Sequence, residues 1–158
     1  MERKTEKTIL NQDMFVQPLD PENPVLQGSL CRSCRKVSFP RKTICPGCLS
    51  KESMEEVALS RQGELYSFSV AHVAPEGFKA PYAFGLVVLP EGLRLFSILQ
   101  DCEPFDEVLK IGLQLQLDLG AIVKNEDGED VFSYVFKPAN REKPIGKKGP
   151  VSEERSLK

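Results

Sequence analysis

The stretch "CRSCRKVSFPRKTICPGC", from Cys31 to Cys48, holds four of the chain's five cysteines. They form two C-x-x-C pairs with ten residues between Cys34 and Cys45. A C-x-x-C turn places two thiolates on one side of a metal ion. A second turn, brought opposite by a hairpin, completes a tetrahedral shell with sulfur about 2.3 Å from the ion. "VSFPRKTI" supplies the two short strands of that hairpin, with Pro40 near its bend. Four protein ligands leave no open position, so the site is read as structural. Zinc is the expected ion, although iron in a rubredoxin-like site takes the same ligand set. Residues 31–51 contain too few apolar side chains to fold unaided. In small modules of this kind metal binding contributes about 10–16 kcal/mol of folding free energy.

The charge around these cysteines is one-sided. Residues 31–51 carry six basic side chains (Arg32, Arg35, Lys36, Arg41, Lys42, Lys51) and no acidic one. Residues 52–137 carry six basic and fifteen acidic, a net of −9, although the whole chain is only −2. Blocks of opposite sign point to separate surfaces with separate partners. The basic residues compensate a Zn(Cys)4 centre and exceed that need.

Other chemistry is sparse. Cys102 precedes an expected helix and His72, the only histidine, lies in an expected strand. A buried or surface thiol and a strand histidine account for them better than a dyad. There is no Walker A loop, no G-x-S-x-G and no dinucleotide fingerprint. The charged start "MERKTEKTIL" has no apolar run behind it, so no secretory signal is read. No stretch approaches the ~20 apolar residues of a membrane span. The expectation is a cytoplasmic protein with no membrane partner, where paired C-x-x-C motifs serve metals rather than disulfides.

The elements that position these residues read as mainly β. Residues 1–30 form an N-terminal arm, with a short helix expected at Asn23 and Pro24. Residues 31–51 are the zinc ribbon. From residue 52 to 138 the pattern is that of strands. "ELYSFSVAHV" puts Tyr66, Phe68 and Val70 on one face. "YAFGLVVL" is nearly continuously apolar, as a buried strand can be. "EG" at 91–92 is a tight turn into "LRLFSIL", which predicts a hairpin. "EPFDEVLKIG" reads as a short helix with Glu103 as N-cap, Pro104 at its first position and Gly112 past its end. "LQLQLDL" alternates cleanly, "NEDGED" is a turn, and "VFSYVF" closes the set. Five strands with a helix between the third and fourth predict an OB-type barrel, which leaves few strand edges exposed. Residues 139–158 read as a flexible basic tail, dispensable for the fold.

A zinc ribbon ahead of an OB barrel raises single-stranded nucleic acid as a ligand. Such barrels stack bases on aromatics in a basic groove. Tyr66, Phe68, Phe84, Phe96 and Tyr134 are available, although several are expected in the core. Affinity for nucleic acid depends mainly on neutralising phosphates, and a net of −9 in the barrel opposes that. Nucleic-acid binding therefore ranks second, and the competing reading is an accessory subunit.

The combination of the two cysteine pairs with "FPR" (39–41), "CPGC", "LSRQGELYSFSV" (59–70), the apolar strand 84–89, "KIG" (110–112) and "VFKP" (135–138) resembles the zinc-ribbon/OB-fold acyl-CoA-associated family, long catalogued as a domain of unknown function. Within it, "GSLCRSCRKVSFPR" and "LSRQGELYSF" are most similar to the small zinc-binding subunits of thiolases in benzylsuccinate-type toluene degradation. Arg35 departs from the Gly that many members carry after the second cysteine, which puts the shape of the first knuckle in doubt but not the ligands. The resemblance implies a non-catalytic subunit in a hetero-oligomer with a thiolase-type or hydratase-type acyl-CoA enzyme. The partner would carry the nucleophilic cysteine and the acid/base groups. This chain would stabilise it and shape the CoA entrance, with Arg35, Lys36, Arg41, Lys42 and Lys79 as candidates for holding CoA phosphates.

Overall fold

The computed structural model describes residues 7–139. The tail from residue 140 onward lies outside the described residues. The elements in chain order are β1 (Thr8–Ile9), β2 (Gln27–Cys31), β3 (Val37–Ser38), β4 (Met54–Ala58), β5 (Gln62–Ala71), β6 (Tyr82–Val88), β7 (Arg94–Leu99), the single-turn α1 (Phe105–Val108), β8 (Gln114–Lys124) and β9 (Asp130–Pro138). Among the described residues no helix is long and apolar enough to cross a membrane.

Strands β5 to β9 close into the expected five-stranded barrel. Antiparallel pairing runs β7–β6–β5–β8–β9, and β9 meets β7 in parallel at Leu99 and Phe136. The alternation in β8 places Leu115, Leu117 and Leu119 in the core. The β6–β7 hairpin turns at Gly92, whose φ of +87° an L side chain rarely adopts. Helix α1 sits between the third and fourth barrel strands. It is shorter than its sequence implies and is capped from Pro104 rather than Glu103.

Strand β6 alternates rather than being buried throughout. Ala83, Gly85 and Val87 face inward, and Tyr82, Phe84, Leu86 and Val88 are half-buried outside. Gly85 sits where β5 crosses closely: a Cβ there would collide with the carbonyl oxygen of Ser67. Backbone cannot yield as a flexible side chain can. Gly85→Ala should therefore lower stability by about 1–3 kcal/mol, the usual range for forced overpacking. Thermal denaturation followed by circular dichroism checks this.

The arm is not helical at Asn23. A 3-10 turn occupies Gln12–Met14 instead, and the segment after Pro24 runs extended into β2. Phe15 and Leu26 bridge each other and are both fully buried. They join Leu59, Leu65, Leu115 and Phe136 in one core cluster. Strand β1 pairs in parallel with β9 at Val131 and Phe132, next to the stretch of β9 that β7 reaches. Arg61 Nε donates to the Pro24 carbonyl at 3.0 Å. The described part of the arm thus shares the barrel's core through Phe15 and Leu26, where burial of each large apolar side chain contributes about 1.5–3 kcal/mol.

The ribbon sheet also differs from the expected hairpin. Its central strand is β2, which ends on Cys31 of the first cysteine pair and is flanked by β3 and β4. Residues 41–44 form no strand. Ser29 takes the place of a ladder partner: its Oγ accepts from the Lys42 amide at 2.7 Å and donates to the Lys42 carbonyl at 3.2 Å. A side chain that offers donor and acceptor together satisfies both backbone groups without a second strand.

Candidate metal centre and the cations around it

Sγ atoms of Cys31, Cys34, Cys45 and Cys48 all lie within 4.8 Å of one another. Cys31 and Cys48 are 3.5 Å apart, as are Cys34 and Cys45. Bonds of about 2.3 Å at tetrahedral angles require sulfurs roughly 3.8 Å apart. The four thiols therefore fit a single tetrahedral ion. Two closed knuckles set them. The Arg35 amide donates to the Cys31 carbonyl at 2.7 Å, and the Leu49 amide donates to that of Cys45 at 2.9 Å. Inside the second knuckle the amides of Gly47 and Cys48 point at Cys45 Sγ, at 3.3 and 3.5 Å. The Cys48 and Gly47 amides hold the Cys45 thiol down at about 6 against the opposing effect of burial, which favours the thiolate a metal needs. The Cys31 thiol is also lowered, chiefly by the Cys34 amide.

Each knuckle ends on a residue forced into the left-handed region: Arg35 at φ +67° and Leu49 at φ +63°. The first knuckle thus keeps its shape with Arg in a glycine-type conformation. That conformation costs a side-chain-bearing residue about 1–2 kcal/mol. Glycine would relieve it but lose about 0.5–1 kcal/mol more backbone entropy on folding. Arg35→Gly should raise stability by about 0.5–1 kcal/mol, read as an upward shift in melting temperature with metal content unchanged.

The candidate cations do not converge. Arg41 and Lys42 line one groove with Lys51, Ser29 and Glu56. Arg41 Nη1 is bound to Glu56 Oε1 at 2.6 Å, so part of its charge is already compensated. Arg35 and Lys36 are exposed on the knuckles, and the stem of Lys36 lies against Gly47. Lys79 lines a different space, a cavity of about 1440 Å³ on the barrel that also involves Arg61, Gln100, Asp118 and Lys137. There Lys137 Nζ binds Asp118 at 3.0 Å and Asp101 at 3.5 Å. Burial pulls the Lys137 ammonium down, but the Asp118 bond and both carboxylate charges outweigh it and raise it above the ordinary range. Sequence reasoning did not single out this cluster; its signal was Lys137 within "VFKP". His72 is exposed while Cys102 is buried.

The aromatics expected in part to fill the core lie mostly outside it. Tyr66 is 46% exposed and Phe96 56%, and Phe68 is also exposed. Among the described aromatics only Phe15 and Phe136 are fully buried. Phe78, Tyr82, Phe84 and Phe96 form a row of ring contacts with centroids 5.6–5.9 Å apart. Tyr66, the extra residue at a bulge in β5, packs under Arg94 at 4.2 Å.

Residues 22–55 match the family profile described as the ChsH2 rubredoxin-like zinc ribbon domain, and residues 56–119 match the ChsH2 C-terminal OB-fold domain. The benzoylsuccinyl-CoA thiolase subunit BbsA of Thauera aromatica is 36% identical over 136 residues, covering 86% of this chain and 92% of that protein. The chain belongs to the ChsH2-type DUF35 family. A DUF35 domain-containing scaffold protein of Methanocaldococcus jannaschii is 40% identical over 122 residues, covering 74% of this chain and 84% of that one. Among solved structures, the Ltp2-ChsH2(DUF35) aldolase aligns with a TM-score of 0.58 and 31% identity over 73% of this chain and 85% of that one. In this chain, then, the zinc-ribbon domain with the four cysteines precedes the OB fold.

Proposed function

We propose that this DUF35 chain is a non-catalytic subunit of a thiolase-type acyl-CoA enzyme complex, acting in thiolytic cleavage of a benzylsuccinate-type acyl-CoA in the cytoplasm. The observation that carries this reading is similarity to a thiolase subunit over 92% of that subunit's length, with both domains included. Zinc is the proposed ion at Cys31, Cys34, Cys45 and Cys48, where it would supply a closed four-thiolate crosslink between the two knuckles. The chain's task is to hold the partner enzyme in its active form and to steer CoA phosphates. Arg35, Lys36, Arg41, Lys42 and Lys79 are the proposed steering cations. Only Arg41 among them is held by a carboxylate in the described residues, and the remainder present unpaired charge.

One observation favours a second reading, single-stranded nucleic-acid binding. The ring row runs across β6 and β7, the second and third strands of the barrel, where OB folds carry ligands. The acidic barrel opposes it. An assay with a single-stranded oligonucleotide separates the two: the subunit reading expects weak, salt-sensitive binding that survives Phe84→Ala. Reconstitution with the acyl-CoA enzyme that co-purifies from native cells tests the main reading, and its expected outcome is argued below.

A further inference from the structure

The second zinc knuckle combines three features that do not help the ribbon fold. Leu49 is 73% exposed although it sits at φ +63°, where its Cβ is strained. Ile44, which enters the same knuckle, is 43% exposed. The two are held at one end of the knuckle, because the Leu49 amide bonds the Cys45 carbonyl and the Cys45 amide bonds that of Ser50, both at 2.9 Å. Glycine at 49 would make the same backbone bond without strain, and a polar residue at 44 would be better solvated. Exposure leaves both side chains free to contact a partner.

Charge identifies what that is. Lys36 lies against Gly47 of this knuckle, and Lys51 lines an adjoining groove whose carboxylates, Glu55 and Glu56, are taken by Arg32 and Arg41. No carboxylate in the described residues pairs with either of these lysines. The segment 31–51 has six basic side chains and no acidic one. An apolar tip with unpaired lysines beside it fits an apolar pocket bordered by carboxylates. We infer that Leu49 and Ile44 form the anchor by which the zinc ribbon docks on an acid-rimmed apolar pocket of the partner enzyme subunit. This rests on the proposed function, since it names the part of the chain that binds that partner. It follows the usual division of an interface into a desolvated apolar centre and a charged rim.

The test uses the full chain and the acyl-CoA enzyme subunit that co-purifies with it, identified by mass spectrometry and then produced separately. Leu49→Gly removes the side chain and the strain together. Its zinc content should be unchanged and its melting temperature equal or higher, yet its dissociation constant for the partner should rise about tenfold or more. Ile44→Ser should act in the same direction. Lys51→Glu should weaken binding and flatten its dependence on salt, because rim charges act through screened attraction. Unchanged affinity in both Leu49→Gly and Ile44→Ser would overturn the anchor while leaving the subunit reading standing. Failure of the wild-type chain to bind any acyl-CoA enzyme would overturn both. Two further results would assign the tip elsewhere and also overturn it: self-association of the chain alone, by analytical ultracentrifugation, that is lost in Leu49→Gly; or loss of oligonucleotide binding in Lys51→Glu with the enzyme complex intact.

Discussion

Cys45→Ser is expected to release the metal and unfold the ribbon. Cys45 is fully buried, and its sulfur accepts two amide hydrogen bonds that favour a thiolate. Serine retains a hydroxyl there but supplies no thiolate, and three sulfurs hold zinc far less tightly than four. The loss is a large part of the about 10–16 kcal/mol that such centres contribute. It would not stay local. Val37 and Phe39 of the ribbon pack against the shared core, and the Phe39 ring meets that of Tyr134 edge-on at 5.7 Å. The chain contains no Trp and only three Tyr, so a change at the Phe39–Tyr134 contact is a sizeable part of the near-ultraviolet circular dichroism. The expected results are one zinc per wild-type chain by elemental analysis, less than one in the variant, a much lower melting temperature, and a changed tyrosine signal. A strong chelator should reproduce them in the wild type. Iron with a coloured protein, or a variant that keeps equimolar zinc and melts normally, would contradict the assignment.

The cysteine centre was legible in the sequence because ligand spacing is a local property. Two turns of four residues set most of the geometry, and the fold has only to bring them together. The five barrel strands were legible for a related reason. Alternation in "LQLQLDL" and turn residues at Gly92 and Gly128 act over a few positions. The arm was not legible, because its contribution is long-range. Phe15 and Leu26 sit in the short apolar runs "MFV" and "VL" with no periodicity, and only the tertiary fold brings them to Leu59 and Phe136. The ribbon hairpin was misplaced for the same reason. Its central strand, "QGSLC", has no strong β pattern and is fixed by partners on both sides. Strand β6 shows a further limit. With apolar residues on both faces, the run "YAFGLVV" does not tell inside from outside. Gly85 marks the inner face only once β5 is known to cross it. The outward aromatic row follows from that ambiguity. The bulge at Tyr66 adds to it, because one extra residue shifts every later side chain in the strand to the opposite face.

The partner enzyme, freed of this chain, is expected to lose its acyl-CoA turnover and regain it on adding the chain back. The reason lies in the division of labour. A structural centre with four protein ligands holds a fold together and offers no open position for substrate. The exposed cations and apolar tip are suited to binding, not to proton transfer. If Arg41 and Lys42 steer CoA, altering them should change how substrate arrives while leaving the complex assembled. Arg41 already bonds Glu56, so a carboxylate at 41 would set two negative charges together and disturb β4. Arg41→Gln with Lys42→Glu avoids that. The pair should raise KM for CoA or acyl-CoA roughly three- to tenfold, as expected for two screened charges near the ligand's phosphates. Because steering stabilises bound substrate and transition state alike, kcat should fall much less. The wild-type KM should climb with ionic strength, and that of the variant should climb less. Size-exclusion chromatography should show both complexes intact, since the docking anchor at Ile44 and Leu49 is untouched. If the double variant instead dissociates and turnover disappears with it, these cations belong to the subunit contact and not to CoA. A partner enzyme fully active without the chain would remove the accessory role altogether.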